Sequence, residues 1–343
     1  RIDQRRFELP KSPGSRRWAP SARKKTPEII DTIAVIMEHE TAGDPVSGCK
    51  WTRKTTGKLA QQLKRAGIRV SAKTVGRLLK QMNYSLRLNL KCLESGQSKP
   101  PDPHQRDLQF RYIRSQIRSY KANAMPVISV DTKSRELIGP FHKAGRRWSQ
   151  KPIKVLDHDF PSDANGVAIP YGIYDITQNK GFVCVGTSRD TSEFAVDSIR
   201  TWWQKAGSRH YPDADRLLIL ADCGGSNGYR IRLWKQQLQI SLCDRFGLQV
   251  KVCHYPPGSS KWNPIEHRMF SFISNNWAAQ PLLDYETVLK FIRTTKTAKG
   301  LNIRALLNTK SYHKGKKVSD QQMHQINLER YTQRPNWNYS ISP

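Results

Sequence analysis

Acidic residues are scarce in this chain. Its 343 residues hold 28 Asp and Glu against 58 Lys and Arg, a formal net charge of +30. That balance excludes an acidic binding surface and implies a polyanionic partner, because Lys and Arg that neutralise phosphates release counterions and bind nucleic acid in a salt-dependent way. Long hydrophobic runs are also missing. No stretch of about 18 apolar residues exists, and no charged start leads into an apolar segment, which argues against a membrane span or a signal peptide. A soluble intracellular protein without a membrane partner is expected. The chain opens on Arg1, so its natural start is expected to be missing.

Metal-binding and redox spacings are absent as well. The six cysteines (Cys49, Cys92, Cys184, Cys223, Cys243, Cys253) form no C-x-x-C pair, and several lie in apolar runs, where buried free thiols are expected. The nine histidines form no H-E-x-x-H, so structural zinc has no support. "GGSNG" at 224–228 is not followed by G-K-[ST], which weakens a nucleotide-binding reading.

A chain of this length predicts more than one domain. Residues 1–25 are basic, broken by prolines and without periodicity, and read as a flexible basic arm. From Thr26 to residue 91 the texture is helical. "TPEIIDTIAVIMEHE" has a Thr cap, a Pro at the first helical position and an apolar face. "TTGKLAQQLKRAG" ends at Gly67, and "SAKTVGRLLKQMNY" follows with Ser71 as cap. In this third helix Val75, Leu78, Leu79 and Met82 share one face, while Lys73, Arg77, Lys80 and Gln81 occupy the other. An all-α helix-turn-helix domain that presents those four residues to DNA is the reading the charge favours over a plain three-helix bundle. Residues 92–106, rich in Pro, Ser and Gln, read as a linker.

Residues 107–280 alternate between strand and helix. After a basic helix reaching about Ala122 come "MPVISVD", "GVAIPYGIYDIT" and "KGFVCVGTSRD", then a helix, "RLLILAD", a helix, "LQVKVCHYP" and a last helix. This order predicts an α/β fold with a mixed sheet, an RNase H-like (retroviral-integrase-like) core. Residues 143–166 between the early strands read as a long loop, and residues 281–343 as a C-terminal basic extension with one more helix, "YETVLKFIRTTKT".

Two strands end in aspartate directly after an apolar run, Asp131 and Asp222. Adjacent parallel strands would set them side by side at the sheet edge where ligands bind, and a divalent cation would make that closeness tolerable. Alone, each has a local reading: Asp131 starting a turn with Thr132, Asp222 accepting from the "CGGSNG" backbone. Glu266, in "SKWNPIEH", has one too. With Asn263 as helix cap and Pro264 at the first position, its carboxylate would reach back to the cap's N–H. Taken together, the three carboxylates offer hard oxygen ligands suited to two Mg²⁺ or Mn²⁺ ions and to in-line phosphoryl displacement.

The blocks "PVISVDTKSRELIGPF", "AIPYGIYD", "RLLILADCGGSNGYRIRLWK", "VCHYPPGSSKWNPIEHRMFSFI" and "NWNY" closely resemble the Rhodopirellula-type DDE transposases of ISAzo-group insertion sequences, from about Thr26 to Tyr339. The resemblance implies that Asp131, Asp222 and Glu266 are the catalytic and metal-binding triad. It also implies that Lys261, Trp262 and Asn263 contact DNA and that Asn227, His254 and His267 stand in a supporting shell. The function so implied is cleavage of double-stranded DNA at the element's terminal repeats and strand transfer into target DNA, by a homodimer, in the bacterial cytoplasm and associated with the nucleoid. The family pattern has a glycine where Cys223 stands, and family members carry a further N-terminal DNA-binding region. The rival readings are a helix-turn-helix protein without catalysis and an RNase H-like nuclease that cuts without joining.

Overall fold

The computed structural model describes residues 28–38, 42–43, 50–51, 55–84, 102–332 and 334–343. The chain divides into two units, residues 1–91 and 92–343. The basic arm at 1–25, the cap at Thr26, Cys49, Cys92 and most of the expected linker lie outside the described residues.

In the first unit three helices form where the apolar spacing and caps require them: Ile29–Glu38, Thr56–Arg65 and Ala72–Gln81. Thr55 and Ser71 cap the second and third, each side chain accepting a backbone N–H three residues on at 3.2 Å. Ile29, Ile33, Leu59, Leu63, Val75 and Leu78 bury against one another. The unit is not all-α as expected. Short strands β1 (Ala42–Gly43) and β2 (Lys50–Trp51) pair antiparallel between the first two helices, and two residues apiece is too little alternation to show in a sequence pattern.

The second unit is built on one mixed sheet. Its strands are β3 (Val127–Thr132), β4 (Glu136–Ile138), β5 (Gly166–Asp175), β6 (Lys180–Gly186), β7 (Arg216–Ala221), β8 (Gln249–His254), β9 (Asn302–Asn308), β10 (Leu328–Arg330) and β11 (Asn338–Ile341). The order is β10-β11-β8-β7-β3-β5-β6-β9, with β4 pairing β5. β3, β7 and β8 run parallel, and β5 is antiparallel to both β3 and β6. The central run β6-β5-β3-β7-β8, one antiparallel strand among four that share a direction, is the RNase H-like arrangement.

Helices cover both faces, which is why the central strands are continuous apolar runs. Leu217, Ile219 and Ala221 of β7 point to the face covered by the helices Ser192–Trp202 and Arg232–Leu238, while Leu218 and Leu220 point to the helix Pro103–Ala122. Among the described residues no helix is long and apolar enough to cross a membrane. Of the described cysteines, Cys184, Cys243 and Cys253 are buried free thiols and Cys223 is half-buried.

Two expectations need correction. The basic helix starts at Pro103, inside the stretch assigned to the linker. Asp102 accepts from the His104 N–H at 3.1 Å and Pro103 takes the first turn, so this Pro-rich sequence starts a helix instead of preventing one. Residues 281–343 are not an extension. β9 pairs with β6 and β11 with β8, so this region supplies strands toward both edges of the main sheet. The edge strand β9 and the short inner strand β11 owe their conformation to the partner strands, a long-range cause that local periodicity does not register.

Candidate active site

The parallel pair β3 and β7 aligns Val127 with Leu218 and Ser129 with Leu220, and the same register continued two residues sets Asp131 level with Asp222. β8 lies on the other side of β7 and ends level with it, Ala221 opposite His254. Glu266 arrives from the helix after β8, which opens at Pro264 and passes through a π-helical turn over Glu266–Phe270 into Ser271–Asn276.

Three carboxylates converge there. Burial, then the neighbouring charge of Asp222 and, further down, Glu266 hold the Asp131 carboxyl far above the ordinary carboxylate range. Burial pushes Asp222 up to about 6, with the Asn263 amide working against it and Glu266 adding to it. Asp131 also has its local bond, accepting the Thr132 N–H at 2.8 Å. Asp222 does not follow its local reading, because its Oδ1 accepts from Asn263 Nδ2 at 3.1 Å rather than from the loop after it.

Asn263 decides between the two readings of Glu266. Its side chain does not cap the helix. Fully buried, it turns toward the sheet, donating to Asp222 Oδ1 and to the Val130 carbonyl (3.3 Å) and accepting from the Ser129 hydroxyl. The Asn263 N–H goes to the Ser260 carbonyl at 2.8 Å, leaving nothing for Glu266 to reach back to. The capping job falls to Ser129, whose Oγ accepts from the Ile265 N–H at 3.1 Å and so ties the start of this helix to the middle of β3. Ser129 is absent from the sequence-based set. Its signal was a lone hydroxyl inside the apolar run "PVISV".

Two glycines let this helix lie close on the sheet. A Cβ on Gly172, which sits opposite Asp131, would fall 2.6 Å from Phe270 Cε1, and one on Gly181 would fall 2.5 Å from Met269 Sδ. Gly172→Val is therefore expected to lift the Glu266 helix and destabilise the fold by about 1 to 3 kcal/mol. Denaturant unfolding checks this, and a variant as stable as the parent contradicts the close approach.

His254 is fully buried. Burial lowers its pKa to about 4, so the ring is neutral, with Nδ1 donating to the Asp222 carbonyl (2.8 Å). The Tyr339 hydroxyl accepts from Trp234 Nε1 (2.9 Å) and faces His254 Nε2 at 3.2 Å. This relay fixes the backbone that carries Asp222. Asn227 is buried and accepts from the Ser226 hydroxyl at 3.1 Å, and Ser226 meets the Thr132 hydroxyl at 3.5 Å. His267 is exposed next to Glu266.

Lys261 and Trp262 lie at the surface, Trp262 57% exposed, but Asn263, expected to touch DNA, is buried and positions Asp222 instead. Trp262 helps line a groove of about 550 Å³ with Arg106, Phe110 and Arg114, residues the sequence reading passed over in a helix noted only for its charge. Arg146, Arg147, Trp148, Lys151 and Lys154 of the 143–166 loop are exposed. In the first unit Lys73, Arg77, Lys80 and Gln81 are all exposed on the helix Ala72–Gln81.

The donor set fits a hard divalent cation: three carboxylates, two of them with raised pKa values, crowd at one edge, and a cation relieves that repulsion. Among the described residues no three His, Cys, Asp or Glu side chains stand ready-made as a coordination shell. Asp131 and Glu266 nonetheless stand close enough for the Glu266 carboxylate to add to the raised pKa of Asp131.

An RNase H-like sheet with acidic side chains clustered at the ends of its parallel strands defines the class of fold and site. Residues 32–343 match the family model described as "Rhodopirellula transposase DDE domain", and the chain belongs to that family. No curated protein matches the chain. Among solved structures it is similar to "Crystal structure of the Mos1 Strand Transfer Complex" (13% identity, TM-score 0.43, covering 85% of this chain and 72% of that one). It is likewise similar to "Crystal structure of the mariner Mos1 paired end complex with Mg" (15% identity, TM-score 0.41, covering 85% and 74%).

Proposed function

We propose that this protein is the transposase of an insertion sequence, hydrolysing a phosphodiester at the element's ends and joining the freed 3′-hydroxyl to target DNA. The observation that carries this reading is the level placement of Asp131 and Asp222 on adjacent parallel strands with Glu266 against them. These three residues would hold Mg²⁺ or Mn²⁺, two ions, which when bound supply the positive charge that an in-line phosphoryl displacement develops a need for. The chain's other side chains hold this edge in shape. Asn263 keeps one Asp222 oxygen fixed, Ser129 anchors the helix start beside Glu266, and neutral His254 pins the Asp222 carbonyl.

A surface of +30 net charge draws double-stranded DNA to the edge. Lys73, Arg77, Lys80 and Gln81 read the element's terminal repeats from a helix-turn-helix domain, while Lys261 and Trp262 contact the strand near the site. Joining two ends calls for a homodimer, working at the nucleoid of a bacterial cytoplasm. Purified protein incubated with Mn²⁺ and a supercoiled plasmid carrying the element's own ends is expected to yield nicked, linear and joined products, all lost on chelation. Cleavage without joined product would make it a nuclease, and no cleavage at all would remove the proposal.

A further inference from the structure

A second cationic site lies beside the catalytic edge. A cavity of about 520 Å³ is lined by Tyr229, Arg230, Arg232, Lys235, Arg330 and Asp320, among others. Four cations thus face one carboxylate, and that carboxylate is taken: Asp320 pairs with Arg232 at 2.6 Å. No described carboxylate pairs with Arg230, Lys235 or Arg330. Arg330 donates only to the Pro335 carbonyl (3.2 Å) and to Asn336 Oδ1 (3.4 Å), both neutral.

Lys235 is the unusual member, only 3% exposed. Its ammonium has three N–H donors. One goes to the Tyr229 carbonyl and the ammonium also faces the Tyr339 ring at 5.2 Å, but among the described residues no carboxylate pairs with it. Burying an ammonium without a counter-charge is costly, which marks the place for an anion from outside the chain. Burial first, and the Arg330 charge second, lower the Lys235 pKa to about 8, the strain an arriving anion would relieve.

The cavity's position identifies the anion. Tyr229 follows the turn that leaves Asp222, and its ring meets His254 at 6.2 Å, the residue bonded to the Asp222 carbonyl. An anion held here therefore lies one layer of side chains from the catalytic edge. We propose that Arg230, Lys235 and Arg330 form a clamp for a backbone phosphate of the bound DNA, flanking the phosphodiester that reacts. This assignment rests on the transposase reading for its choice of DNA as ligand.

The test is the double variant Arg230→Gln/Arg330→Gln, whose side chains are both at the surface, so the fold is kept. Binding of a DNA duplex of arbitrary sequence is measured by fluorescence anisotropy across a salt series. The expected result is affinity weaker by about tenfold at low salt and a log K against log salt slope shallower by about one. An unchanged affinity and slope overturn the clamp. So does inorganic phosphate that raises the parent's Tm but not the variant's while duplex binding stays equal, the signature of a free-anion site. A shallower slope in a protein that shows no metal-dependent cleavage keeps the clamp and removes the reading of the catalytic site.

Discussion

Asp131→Ala is expected to lower DNA cleavage and joining by about a thousandfold or more, to below detection in a plasmid assay, while duplex binding and its salt dependence stay at the parent's level. The size follows from what a carboxylate in this place secures: several kcal/mol of transition-state charge stabilisation, at about 1.4 kcal/mol for each factor of ten. Binding survives because it draws on cations spread over the whole surface, and loss of one buried acid makes a chain of +30 no less basic. The same substitution relieves carboxylate crowding, so the variant should unfold at a Tm no lower than the parent's. Cleavage at the parent's rate in Asp131→Ala would end the case for this site.

Asn263→Asp carries the second large effect. The amide at this position donates to Asp222 Oδ1 and the Val130 carbonyl and accepts from Ser129, all in a fully buried setting. A carboxylate of the same shape has no hydrogen to give, leaves the Val130 carbonyl unanswered and adds a fourth acid to the cluster. A loss of about 2 to 3 kcal/mol is expected for such an unsatisfied buried group, or roughly 5 to 10 °C in Tm at about 2 to 4 °C per kcal/mol. Cleavage at saturating Mn²⁺ should fall by about a hundredfold, the equivalent of nearly 3 kcal/mol. The half-saturating Mn²⁺ concentration separates two roles: it shifts if Asn263 orients Asp222, and stays constant if the amide only supports the fold.

The strands that carry Asp131 and Asp222 were legible because of the way parallel sheets bury both faces. "PVISV" and "RLLILA" are unbroken apolar runs for that reason, and the acid that ends each one sits where burial stops. Glu266 was legible as a candidate only. The pattern N-P-I-E fits a helix cap as well as a catalytic helix, and what separates them is the direction of the Asn263 side chain, fixed by Ser129 and Asp222 from distant parts of the chain. His254 illustrates the same limit. Its place in a supporting shell was expected, yet its neutrality follows from burial, and its Tyr339 partner lies eighty-five residues away on another strand. The edge strand β9 and the inner strand β11 were hidden in a basic stretch because pairing, not pattern, makes them strands. The π-helical turns, among them the one at Glu266, left no mark in composition at all.

Strand β11 has a consequence for the order of events in the cell. Synthesis delivers a chain from its first residue onward, so Asp131, Asp222 and Glu266 all leave the ribosome before Asn338–Ile341. Until that strand docks, β8 keeps a bare edge and His254 lacks the Tyr339 hydroxyl. The Asp222 end of the sheet is thus completed last. A product that stops short of residue 338 would keep the helix Ala72–Gln81 but leave β8 unpaired on that side and His254 without its Tyr339 contact.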